Sequence, residues 1–146
     1  MKQTFVILLM AFVSIYVNAQ DLPKDVNKIY KAAEHLKSKK RLKEAVEVYK
    51  EVLRSNDHIP SMISIADIDM YMYNPPNYRE AYKYYDMAIN QLNYAISSVD
   101  KNSQKKYLTK KRDELIPKRK KAKWYVDNFD KAKEQKHNGE HLLDYN

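Results

Sequence analysis

From Asp25 onward, apolar residues return every three or four positions, the period of a helix with one buried face. Val26, Ile29, Ala32, Ala33 and Leu36 form the first such stripe and predict a helix over 25–38. After the basic corner Lys39-Lys40-Arg41, the stripe resumes with Leu42, Ala45, Val46, Tyr49, Val52 and Leu53 and carries a second helix to Arg54. Pro60 opens a third, where its missing N–H costs little. From Met62 to Met72 this helix is apolar nearly all round, interrupted only by Ser64, Asp67 and Asp69, as in helices buried on more than one side. Asn74-Pro75-Pro76 ends it. Asn77, with Glu80 three residues on, has the form of an N-cap. Tyr78, Ala81, Tyr82, Tyr85, Ala88, Ile89 and Leu92 then predict a fourth helix to about Ser97. Beyond it, Leu108, Leu115, Ala122 and Phe129 recur at seven-residue spacing, a narrow packing seam. Pro117 falls within that seam and is expected to kink or break it, giving one long helix or two. Residues 137–146 read as a frayed tail.

The first residues follow a different pattern. Met1-Lys2 supplies a positive start, Phe5 to Val17 is almost unbroken apolar sequence, and small Ala19 precedes Gln20. That order describes a secretory signal peptide over residues 1–19, with the mature chain beginning at Gln20. The apolar run is short for a membrane span. The chain is therefore expected to be exported, periplasmic or secreted, and not membrane-spanning once the signal is removed.

Composition narrows the fold class. The 146 residues contain no cysteine and one glycine. Without cysteine there is no disulfide, no lipid-bearing cysteine and no thiol nucleophile. With so little glycine, hairpin turns and phosphate-binding loops lose their usual residue. Abundant Lys, Glu, Ala and Leu suit helices. The expected fold is all-α, with helical pairs over 20–98 and a basic C-terminal helix or helices over 99–136.

Two of the predicted helices resemble one another. LKEAVEVYKEVL (Leu42 to Leu53) aligns with YREAYKYYDMAI (Tyr78 to Ile89), so that Ala45 matches Ala81, Tyr49 matches Tyr85 and Val52 matches Ala88 at an offset of 36 residues. A helical pair repeating at this period marks an α-solenoid. In these residues the chain resembles the tetratricopeptide repeat family over about 24–91. Ile29, Ala32, Ala33, Leu36, Ala45, Tyr49 and Val52 stand at that family's packing positions. In the second unit Ala66 takes the small-residue position, but Asp69 then stands where the family has an aromatic; placing Tyr71 there puts Ile68 at the small position. The Asn74-Pro75-Pro76 corner is also similar to Sel1-like repeats, without their glycine-rich loop. The alternative is an unrelated helical bundle, which the same stripes allow. The resemblance implies a concave face that binds peptides or partner helices. Its residues would be Asn27, Tyr30, Lys31, Glu34 and Lys37 in the first unit, and Ile63, Ser64, Asp67, Met70 and Tyr71 in the second. It also implies a terminal helix that caps the last pair, here through Leu108, Leu115, Trp124 and Phe129, since the final repeat must bury its apolar face. Tyr82 and Tyr85 are expected inside and Tyr84, on the opposite side of that helix, at the surface.

Charge supplies the second functional reading. Residues 101–125 hold eleven Lys/Arg against only Asp113 and Glu114, and the positive excess of the chain is concentrated there. Lys110, Lys111, Arg112, Lys118, Arg119, Lys120, Lys121 and Lys123, with Trp124 and Tyr125 alongside, form a surface that attracts anionic lipid head groups or envelope polymers. Nucleic acid is disfavoured by export, and a solvated helix face is the plainer account. His137, Glu140 and His141 match the letters H-x-x-E-H of a zinc hydrolase, but Gly139 interrupts the helix the motif needs and few residues follow to supply a third ligand. His35 and His58 have no paired ligand pattern. Asp67 and Asp69, two residues apart, do not share a helix face and read as polar edges of a groove. The expectation is therefore a non-enzymatic protein-binding module of a bacterial envelope, with no catalytic residue, metal or cofactor. Binding to anionic surfaces is the alternative and a small metal-dependent hydrolase a distant third.

Overall fold

The computed structural model describes residues 22–137, with side chains through residue 129. The segment expected to be a signal peptide, and the part of the H-x-x-E-H stretch that follows His137, lie outside the described residues. Within them the chain is all-helical. Its α-helices are α1 (Lys24–Ser38), α2 (Leu42–Leu53), α3 (Ile59–Asp67), α4 (Tyr78–Ser98) and α5 (Asn102–His137). A π-helical turn, Ile68–Met72, continues α3 without a break.

Helix α1 packs on α2, α3 on α2 and α4, and α5 lies along α4 in the most extensive helix–helix contact of the chain. Alanines make the close approaches. Ala33, Ala45, Ala66, Ala81, Ala88 and Ala122 are fully buried, each letting a neighbouring helix come near. Between them Tyr49, Met62, Ile65, Ile68, Tyr85, Ile89, Leu92 and Leu115 fill one continuous core. Tyr49 and Tyr85, aligned in the sequence at the 36-residue offset, are both fully buried.

Local signals in the sequence account for most helix ends. The Asn77 Oδ1 accepts the Glu80 N–H at 3.4 Å, the capping bond expected at α4. At the end of α1, the Lys40 N–H donates to the Lys37 carbonyl at 3.0 Å and the Arg41 N–H to the Leu36 carbonyl at 3.0 Å. This is a Schellman motif, and it puts Lys40 at φ 61°. Glycine usually holds this place because a Cβ is crowded there. Lys40→Gly is therefore expected to raise the unfolding free energy by about 1 kcal/mol, read from a shift of the urea midpoint at constant slope.

Four expectations are corrected. Pro117 does not divide the C-terminal helix, since α5 runs unbroken through it. Pro117 is exposed, so the carbonyl that loses its helical partner meets water rather than core. Tyr84 is buried, at 7% exposure, because the flank of α4 beside the main stripe is covered as well. Phe129 is 57% exposed and Trp124 36%, so the α5 seam is closed by Leu115 and Ala122, with Leu108, Ile116 and Tyr125 partly buried, rather than by these two aromatics. Ala32 is exposed, and α1 packs through Ala33 and Leu36 instead.

Candidate functional site: a polar groove across α1, α3 and α5

Helices α1 and α3 lie near enough for their polar side chains to bond. The Lys37 Nζ donates to the Glu34 Oε1 at 3.1 Å and to the Ser64 Oγ at 3.2 Å, and the Ser64 hydroxyl lies 3.4 Å from the same Glu34 oxygen. The Tyr49 hydroxyl, rising from the core beneath, also donates to Glu34. Burial by itself pushes the Glu34 carboxyl up, but the hydrogen bonds from Tyr49, Lys37 and Ser64 and the charge of Lys37 outweigh it and hold the group below its ordinary range. The Tyr49 hydroxyl is raised far above its usual value, first by burial and then by donating to that carboxylate.

The same arrangement recurs one unit on. The Tyr85 hydroxyl donates to the Asp67 Oδ1 at 2.5 Å, so each of the two aligned tyrosines is tied to an acid on the preceding helix. Where Lys37 serves Glu34 from the same helix, a residue of α5 serves Asp67. The Lys118 Nζ donates to the Asp67 Oδ1 at 2.9 Å and lies 5.9 Å from the ring centroids of both Tyr71 and Tyr85. Lys121 also approaches the Tyr71 ring at 5.9 Å. Tyr71 itself is 52% exposed.

Of the ten residues expected on the concave face, Tyr30, Glu34, Lys37, Ser64, Asp67 and Tyr71 belong to this polar strip or border it. Lys31 is exposed, while Asn27 and Ile63 are half-buried. Met70 is corrected, being buried in the core. Asp69 is corrected as well: at 3% exposure it is no groove edge. Tyr30 leans inward, its ring edge-on to the buried His58 at 4.6 Å and tilted against Tyr49 at 6.1 Å. Burial and then the charge of Glu34 push its hydroxyl up to about 12. His58 stands at the N-cap of α3, its carbonyl accepting the Ser61 and Met62 N–H groups, and its Nδ1 lies 2.8 Å from the Ser61 Oγ in a fully buried pair. Although histidine beside serine resembles a nucleophile and its base, neither is open to a substrate, and the pair is structural.

The basic cluster divides in two. Lys118 and Arg119 are turned inward as ties, Arg119 donating to the Asp86 Oδ1 at 2.7 Å. Arg112 pairs with Asp113 at 2.7 Å and Lys123 with Asp127 at 2.7 Å. Lys110, Lys111, Lys120 and Lys121 make no ion pair among the described residues. Sequence alone missed Lys118 and Lys121 as parts of the groove. They stood in a run of charge with nothing to single them out, and Lys118 is 51 positions from its partner.

Among the described residues no group of three or more His, Asp or Glu is placed to hold a metal ion, and no helix is long and apolar enough to cross a membrane. Compared with known proteins, the chain matches no family model, no curated protein and no solved structure.

Proposed function

We propose that this chain is a short α-solenoid of the tetratricopeptide type, exported to a bacterial cell envelope, which binds another protein along the groove formed by α1, α3 and the inward edge of α5. One observation carries the reading. The first helices of the two sequence units are bonded side by side through Glu34, Lys37 and Ser64, and α5 extends the same face through Lys118 and Asp67. Adjacent first helices with a shared polar face are what stacked helical pairs produce. Its acids are already paired, so the surface is held in place and offers Tyr71 and lysine side chains to a partner at little ordering cost. The reading assigns the groove no catalysis. Cross-linking in the native envelope, followed by mass spectrometry of what is captured, would identify the partner. Tyr71→Ala is then expected to weaken its binding about tenfold in isothermal titration, since exposed aromatics dominate such interfaces. Unchanged affinity for Tyr71→Ala and for Lys31→Glu would reject the groove.

A second reading has its own observation. Lys110, Lys111 and Lys120 are exposed and carry no carboxylate partner among the described residues, a surface suited to anionic head groups or polymers. Charge reversal at these three would abolish sedimentation with anionic vesicles and leave groove binding intact.

A further inference from the structure

The corner before α4 and the far part of α5 enclose a second feature, which shares no lining residue with the groove. A half-open cleft of about 210 Å³ lies between them, lined by the segment from Pro76 to Arg79, which includes the polar Asn77, and by Tyr125, Val126 and Phe129. Tyr78 and Tyr125 stack face to face, centroids 4.2 Å apart at 11°. Trp124 stands edge-on to Tyr125 at 5.1 Å. Phe129 contributes an aromatic surface that the core does not use, at 57% exposure.

We infer that this cleft is a binding site for a small ring-shaped molecule carrying a carboxylate. Three features set the chemistry. The walls mix the rings of Tyr78, Tyr125 and Phe129 with the polar Asn77, which suits a ring that carries polar substituents. The only charged group lining the cleft is the Arg79 guanidinium, which is exposed, makes no ion pair among the described residues and is shaped to take a carboxylate with two parallel bonds. The volume lies below the roughly 300–1,000 Å³ of sites for drug-sized ligands, which limits the occupant to one ring with a short substituent. A sugar acid and an aromatic acid share this chemistry, the first stacking its C–H face and the second its π face on the tyrosines.

The chain carries its own reporter, because Trp124 is the single tryptophan and touches the cleft wall through Tyr125. Trp fluorescence of the full chain would be titrated with glucuronate and with phenylacetate. Glucose, 2-phenylethanol and acetate would serve as comparisons lacking the charge or the ring. Ligand-observed saturation-transfer NMR on the same samples would cover binding that leaves the fluorescence unchanged. The expected result is a saturable response to one or both ring carboxylates. It weakens at least about tenfold in Arg79→Gln and in Phe129→Ala and is unchanged in Lys106→Gln, which lies on the outer face of α5. Both test positions are exposed, so unaltered thermal unfolding is expected and would separate lost binding from lost fold. A response to glucuronate alone makes the ligand a sugar acid, and to phenylacetate alone an aromatic acid. The site is overturned if neither saturates by about 10 mM in either readout. It is equally overturned if acetate competes as well as the ring acids do, or if Arg79→Gln binds like the unaltered chain.

Discussion

Replacing Tyr85 by alanine is expected to lower the unfolding free energy by about 3–5 kcal/mol, the range for deleting a fully buried aromatic side chain. Tyr85 is completely buried where α4 faces both α3 and α5, and its hydroxyl is one of two donors to the Asp67 Oδ1. Tyr85→Phe separates the ring from the hydroxyl. It keeps the packing and removes a hydrogen bond to a carboxylate, at a cost of about 1.5–3 kcal/mol. Asp67 is then left with Lys118 alone. That is between about a fifth and the whole of the roughly 5–15 kcal/mol that holds a domain of this size together, so the alanine variant is expected to unfold at a much lower urea concentration. Urea denaturation followed by circular dichroism would give both values. If Tyr85→Phe matched the unaltered chain, the Tyr85–Asp67 bond would contribute nothing. If Tyr85→Ala lost less than about 1 kcal/mol, the α4 interface would not be the core described.

The position of Tyr85 was legible in the sequence because repetition announced it: Ala81, Tyr85 and Ala88 copy Ala45, Tyr49 and Val52, and small–aromatic–small at helical spacing leaves one way to pack. The Asn77 cap was legible for an equally local reason, as one side chain and one N–H three residues on decide it. Counting along α1, where the stripe is regular, also put Glu34 and Lys37 on one polar side, where the two bond. Counting failed along 60–72. The π turn at Ile68–Met72 adds a residue to one turn of helix, so no single 3.6-residue register describes both ends. Ala66 and Ile68 are both fully buried, Asp69 is carried into the core and Tyr71 onto the surface. A period cannot reveal its own interruption. Lys118 was beyond reach for a different reason: among eleven basic residues, only the path of α5 across Asp67 distinguishes it. Pro117 was over-read because the cost of an interior proline depends on whether the freed carbonyl meets core or water, which burial decides and the residue type does not.

The misfit at Asp69 leads to the second large effect, and one whose sign depends on pH. Asp69 is buried beside Tyr84 and Tyr73, at 3% exposure. Burial first, and then the charge of Glu80, push its carboxyl up from 3.8 to about 6, with Lys50 pulling weakly the other way. The folded state therefore holds a proton that the unfolded chain has already released. Above about pH 6 the carboxyl is ionised in both states, and folding bears a penalty near 1.36 kcal/mol for each unit of the shift, in total about 2–3 kcal/mol. Below about pH 4 it is protonated in both and the penalty vanishes. Asp69→Asn keeps the shape and carries no charge at any pH. It is expected to stabilise the chain by about 2 kcal/mol above pH 7, somewhat less than the full penalty because the buried amide must find partners, and to destabilise it slightly near pH 4, where that cost alone is left. His58 works in the opposite direction. Its burial lowers the imidazole from 6.5 to about 4, so the stability it allows is present above pH 6.5 and is lost as pH falls toward 4. In the unaltered chain the two slopes cancel in large part over this window. In Asp69→Asn the His58 slope is left uncovered, and stability should fall steadily on acidification where the parent stays nearly level. Unfolding free energies at several pH values between about 4 and 7.5 would show it. Parallel profiles for the two proteins would mean that Asp69 is solvated and that the π turn does not bury it. A lowered stability of Asp69→Asn at neutral pH would mean that its carboxylate is held by partners strong enough to outweigh burial.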